Sequence, residues 1–241
     1  MMDRGRAVPP PENFSPETFG RVMDFLKTND VSYAHLKAEA EKRARQTRWS
    51  GAGKNMGVLG SFEPSRFEDT FVGNFRRAKV YGKIPVLPPV QYEYWLDENG
   101  RLLAVIEYNS DPKLTERLGK NYYETYFAGT DGDLAVYACY CAKDQNEKEM
   151  SMVLGYRYDG STLAEDVKLT YIGNALTNMD SDFFSYDADG ALVSTETFYL
   201  TSPALYASPV AKAIGFPGGL SIPMLSYRGV DYQIIHRRIA L

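Results

Sequence analysis

Few residues in this 241-residue chain could do chemistry. His35 and His236 are its only histidines, and Cys139 and Cys141 its only cysteines. Two of each, scattered, do not supply an all-protein transition-metal site, so neither a metal nor a cofactor is expected. The cysteines stand two apart on a strand-like run and therefore share a face. A disulfide there has poor geometry, and they read as small packed residues. No serine sits in a G-x-S-x-G elbow, and no H-E-x-x-H occurs. Around Lys54, the run Gly51-Ala52-Gly53-Lys54-Asn55-Met56-Gly57 departs from the phosphate-loop pattern and follows no buried strand, so it reads as a connector. Carboxylates are the one catalytic material in quantity. Glu93 and Glu107 fall on the two arms of a hairpin centred near Asn99 and Gly100, where Glu93 faces Glu107 or its neighbour. Two carboxylates across a hairpin can perform acid/base work on a glycosidic bond. The simpler reading is that both face water, and no catalytic residue is assigned.

Aromatic and acidic residues alternate in a more telling way. Tyr92, Tyr94 and Leu96 interleave with Glu93 and Trp95; Tyr122, Glu124 and Tyr126 interleave with Tyr123, Thr125 and Phe127. A sheet with one buried face normally has a polar outer face, whereas here both sets carry aromatics. Tyr92, Glu93, Tyr94, Trp95, Glu124 and Tyr126 are the expected partner-binding residues, with Trp95 as anchor. Charge points the same way. Residues 1–90 hold 15 Lys/Arg and 10 Asp/Glu, whereas residues 91–200 hold 8 and 20. An acidic sheet repels nucleic acid and attracts a basic protein, although turn aspartates inflate that count. Arg43, Arg45, Arg48 and Lys54 cluster around Trp49. They could stack on a base, but a solvated helix face is the simpler reading. The leading expectation is a non-enzymatic protein that binds a basic protein partner. The alternative is a binding protein for a small lipid or aromatic ligand, or a carboxylate-based enzyme, with a pocket in a curved sheet lined by Tyr140, Tyr156, Tyr158 and Tyr171.

These residues are positioned by a repeated unit. Asp97-Glu98-Asn99-Gly100-Arg101-Leu102 and Asp187-Ala188-Asp189-Gly190-Ala191-Leu192 follow one pattern, with looser copies at Gly129–Leu134 and Asp159–Leu163. Gly100, Gly132, Gly160 and Gly190 are spaced 32, 28 and 30 residues apart. One β-hairpin per period builds an antiparallel meander. Strands are predicted near 91–96 and 102–109, 121–127 and 134–141, 151–158 and 166–173, 182–187 and 191–200. Segments 143–149 and 174–181 read as polar connectors, and a last hairpin pairs 220–227 with 230–239.

The fold class predicted is α+β, mainly β: about eight to ten meandering strands with two N-terminal helices packed on them. Residues 1–13 are proline-rich and read as disordered. Segment 14–90 is helical and irregular, and 91–241 is the sheet, forming one domain with 14–90. Ser15 reads as a helix cap, Pro16 as the first helical residue, and Phe14 as a staple onto Phe19. A second, surface helix is expected over 32–46. Phe62, Phe67, Phe71 and Phe75 suggest a short helix or wrapped loop. No apolar run reaches the ~18 residues of a membrane span, and the N-terminus lacks a signal-peptide core. The expectation is a cytoplasmic location without membrane contact.

The unit Tyr94-Trp95-Leu96-Asp97-Glu98-Asn99-Gly100-Arg101-Leu102, repeated at Tyr186-Asp187-Ala188-Asp189-Gly190-Ala191-Leu192, resembles the aromatic–D-x-x-G-x-L hairpins of bacterial repeat proteins, among them YD-type repeats and small antitoxin or immunity proteins. The resemblance covers residues 91–200. It implies a bacterial cytoplasmic protein that binds another protein, such as an immunity protein neutralising a basic toxin domain, with no catalytic residues to carry over.

Overall fold

In the computed structural model the described residues are 16–50, 91–108, 112–173, 175–190, 192–201, 224–227 and 230–240. The hairpin code folds as its turn chemistry dictates. Asp97 Oδ1 accepts the backbone N–H groups of Asn99 and Arg101, each at 2.9 Å, and Gly100 N–H donates to Asp97 O at 3.1 Å. The second copy repeats this: Asp189 N–H donates to Asp187 Oδ1 at 3.0 Å, and Gly190 N–H to Asp187 O at 3.1 Å. Gly100 and Gly190 both sit at φ 79°, a left-handed conformation that glycine adopts without steric cost. Aspartate followed by glycine three residues later is therefore a turn with a mechanism.

The strands are β1 (Gln46–Ser50), β2 (Gln91–Leu96), β3 (Leu102–Tyr108), β4 (Asn121–Asp131), β5 (Leu134–Ala142), β6 (Lys148–Asp159), β7 (Thr162–Ile172), β8 (Ala175–Tyr186), β9 (Leu192–Thr201), β10 (Met224–Tyr227) and β11 (Val230–Ala240), and the two turns join β2 to β3 and β8 to β9. The helices are α1 (Glu17–Thr28), α2 (Tyr33–Arg43) and α3 (Pro112–Leu118). All strand pairs are antiparallel, in the order β1 to β9, then β11, then β10. The predicted meander with helices packed on it is what the chain forms.

Register separates two faces. One row runs Ala104, Tyr126, Ala138, Val153, Leu169, Met179, Leu200, Ile234 across eight strands. Its first seven members are buried against the helices, with Leu36 and Ala40 of α2 over the β3–β5 end and Phe19, Val22 and Phe25 of α1 over the rest. We call this the helix face. Helical spacing puts Phe19, Val22 and Phe25 on one stripe, and burying each side chain contributes about 1.5–3 kcal/mol. Close docking requires Gly155: a Cβ there would lie 2.7 Å from Val22 Cγ2 and 2.8 Å from Val167 Cγ2. The alternate residues form the far face. There Tyr137, Leu154 and Tyr156 are buried in a second apolar cluster with Leu96, Leu102 and Leu163.

Local expectations fail at four places. Pro16 is the residue before the first helical turn and not its first member, and Ser15 and Phe14, the expected cap and staple, lie outside the described residues. The second helix ends at Arg43; Ala44 is extended, and Arg45 N–H donates to Leu96 O at 2.8 Å, starting the pairing that Gln46–Ser50 continues as an edge strand. Segment 175–181 belongs to strand β8, with Thr177, Met179 and Ser181 buried. Its polar residues mask the alternation, and the connector there is the tight turn at Gly173. Helix α3 lies where no element was predicted. The N-terminal disorder, the Lys54 connector and the Phe62–Phe75 spacing lie outside the described residues, as does segment 220–223 of the last hairpin. No helix among the described residues is long and apolar enough to cross a membrane.

Candidate functional site

Two glutamates are buried on the helix face, each only 3% exposed. A carboxylate taken from water needs donors, and both find them. Glu165 accepts from Thr18 Oγ1 of α1 at 2.7 Å, Arg157 Nε at 3.0 Å and Ser181 Oγ at 2.8 Å. Glu124 accepts from Tyr126 OH at 2.5 Å, Tyr33 OH of α2 at 2.9 Å and Lys148 Nζ at 2.9 Å. Burial alone would raise the Glu124 pKa, but the Tyr126 hydroxyl and Lys148 outweigh it and hold the carboxyl below its ordinary range. The same burial and the Glu124 charge push the Tyr126 hydroxyl upward. These groups are saturated with internal partners. They pin α1 and α2 to the sheet, together with Arg21, which bonds Asp131 at 3.1 Å and Asp133 at 2.8 Å.

Of the six residues expected to bind a partner, Glu93, Trp95, Glu124 and Tyr126 share the helix face, where the Trp95 and Tyr126 rings lie 6.4 Å apart, and Tyr92 and Tyr94 do not. Tyr126 is fully buried and Glu124 nearly so, beneath α2. Their places are taken by Tyr33, which meets Tyr126 edge-on with ring centroids 6.0 Å apart, and by Lys148. They belong to the interior and offer a partner no surface. Glu93 and Trp95 share the helix face, half-buried; Glu93 accepts from Trp95 Nε1 at 2.9 Å and from the Tyr108 hydroxyl. By register Tyr92 and Tyr94 lie on the far face, opposite Glu107 and Val105. Glu93 faces Ile106 and Glu107 faces Tyr92, so the two carboxylates stand on opposite sides of the sheet and form no catalytic pair.

The pocket reading divides likewise. Tyr140 packs under α2 and Tyr171 in the α1 core, whereas Tyr156 and Tyr158 belong to the far-face cluster. Cys139 is buried and free, its thiol pushed up to about 11 by burial, and Cys141 is half-buried and free. Both are unreactive by this criterion. His35 lies on exposed α2, 3.8 Å from Asp30. His236 is on β11, where only the backbone is described. No group of three or more His, Cys, Asp or Glu among the described residues could hold a metal ion.

A different set of residues shares one surface. On the far face the rows change character between β6 and β7. One row runs Phe127, Tyr137, Leu154, then Lys168, Asp180, Tyr199. The next runs Ala135, Tyr156, then Asp166, Asp182, Thr197, with Arg237 of β11 last. An apolar half thus abuts an acidic half. Lys168 Nζ pairs with Asp180 at 2.7 Å, and the Thr197 hydroxyl donates to Asp182. Burial raises the Asp180 carboxyl and Lys168 opposes that, while Asp182 adds to it. Asp166 and Asp182 stand directly opposite each other, and like charges in that relation destabilise a sheet. Sequence reasoning missed these residues because Asp180 lies in the segment read as a connector, which hid the pairing of β7 with β8. The available signal was the two-residue spacing of Asp166 with Lys168 and of Asp180 with Asp182. The chain matches no protein-family model, no curated protein and no solved structure.

Proposed function

We propose that this is a non-enzymatic binding protein for a basic protein partner, and that the partner docks on the acidic half of the far face. The observation that carries this reading is the placement of the helices. Both α1 and α2 sit on the opposite face, so neither covers Asp166, Asp180 or Asp182. The acidic excess of residues 91–200 supports it, because charge complementarity steers association and fixes the choice of partner. Part of the basic N-terminal cluster is used internally: Arg43 lies 3.7 Å from Asp97, and Arg45 donates to the Lys42 and Ala44 carbonyls. Neutralising a basic toxin, as an immunity protein does, is the most concrete form of this function. The test is capture of one defined basic protein from the native host at low ionic strength, released by salt. Capture that survives molar salt, or no partner at low salt, contradicts the reading.

A further inference from the structure

Glu93, Glu124 and Glu165 stand on the helix face, and the protein does not treat them alike. Glu124 has Lys148 Nζ at 2.9 Å and Glu165 has Arg157 Nε at 3.0 Å. No cation among the described residues pairs with Glu93. Its Oε1 accepts from Trp95 Nε1 at 2.9 Å and its Oε2 from the Tyr108 hydroxyl. Both donors are neutral, so they satisfy hydrogen bonds without balancing charge. The cations nearby are engaged elsewhere. Lys148 serves Glu124, Lys37 Nζ lies 5.6 Å from the centre of the Tyr33 ring, and Arg43 is 3.7 Å from Asp97.

The carboxylate is also within reach of solvent. Helix α2 rests on β3, β4 and β6, and Glu93, Trp95 and Tyr108 are half-buried at the border of the cluster it covers. Their geometry is fixed in advance. The bond from Nε1 to Glu93 holds the indole at one end, and the Tyr126 ring meets it edge-on at 6.4 Å and 66°. Tyr126 is in turn packed edge-on against Tyr33 at 6.0 Å. A carboxylate between an indole and a phenol attracts cations twice, through its charge and through the ring faces.

The same geometry selects among cations. A hard metal ion needs several oxygen ligands, and one carboxylate is present. A guanidinium binds best through two parallel bonds to both carboxylate oxygens, and each oxygen of Glu93 already accepts a donor. A quaternary ammonium has no N–H to satisfy and needs only negative charge and aromatic walls. We propose that Glu93, Trp95 and Tyr108 form a binding site for a quaternary ammonium cation, with Glu93 supplying the charge and the two rings the walls. The site is on the face opposite the acidic half and stands or falls independently of partner docking there.

Calorimetric titration of the full chain tests it with four probes: choline, a trimethyl-lysine peptide, methylguanidinium and dimethylbutanol, the neutral carbon isostere of choline. Choline or the peptide is expected to bind saturably in the millimolar range or tighter, and the tighter of the two tells whether the cation comes from a small molecule or a modified protein. Dimethylbutanol is expected to bind weaker by on the order of tenfold. This comparison needs no variant. Glu93→Gln, which keeps an acceptor for Trp95 and Tyr108, and Trp95→Leu should each weaken binding by a similar factor, whereas Asp189→Asn in the β8–β9 turn should leave it unchanged. No saturable binding of either ammonium probe overturns the proposal. So does equal binding of the neutral isostere, tighter binding of methylguanidinium, full affinity in Glu93→Gln, or an equal loss in Asp189→Asn.

Discussion

At the scale of single residues the fold depends on a few side chains that do two jobs. Glu124 ties α2, β4 and β6 together through Tyr33, Tyr126 and Lys148. Because its pKa is lowered on folding, its contribution is complete above the unfolded carboxylate pKa and disappears as pH falls through the lower folded value. Melting curves from pH 7 to pH 3 should show the unmodified protein losing stability on acidification, with Glu124→Gln losing less over the same range. Parallel curves would contradict this assignment. Gly155 gives a second prediction. A Cβ there meets Val22 and Val167 methyls on both sides, so Gly155→Ala should cost about 1–3 kcal/mol, the usual range for overpacking. The check is a lower urea midpoint at unchanged slope. Neither residue's role was legible in sequence. The strand around Glu124 carries aromatic residues on both faces, and one tyrosine that sequesters Glu124 lies 91 positions away.

At the scale of elements, turn chemistry was readable and strand content was not always so. Aspartate and glycine three apart specify a turn through local hydrogen bonds, so the hairpins could be placed without knowing what packs on them. β8 could not be read as a strand, because Asn178 and Asp180 interrupt any apolar run and only Thr177, Met179 and Ser181 mark the buried side. β1 was hidden because its pairing with β2 is non-local. Asp97→Ala should destabilise the β2–β3 hairpin by about 0.5–1.5 kcal/mol per lost hydrogen bond. Chemical denaturation of this variant beside the unmodified chain checks the loss. Helix α1 makes the complementary case: Phe19→Ala removes a 1%-exposed ring from the α1 core and should cost about 3–5 kcal/mol, read from the same denaturation.

At the scale of the whole molecule, the sheet is asymmetric in what it covers. One face is sealed by α1 and α2 over a continuous apolar row, with its two buried glutamates fully bonded. The other passes from an aromatic half to an acidic half that neither helix covers. Composition revealed the acidic excess but not its location, because face assignment needs the register of every strand and a one-residue slip exchanges the two faces. That is why the six residues expected at an interface are divided between both sides, while Asp166, Asp180 and Asp182 share one. The most direct test neutralises the opposed pair. The double variant Asp166→Asn and Asp182→Asn is compared by calorimetry with the unmodified chain for binding the captured basic partner, and by melting temperature for stability. A control neutralises two exposed turn acids, Glu98→Gln and Asp189→Asn. The far-face account predicts that affinity falls at least tenfold in the first variant and little in the control, with a melting temperature unchanged or raised by relief of the like-charge pair. Full affinity in the first variant, or an equal loss in the control, contradicts it.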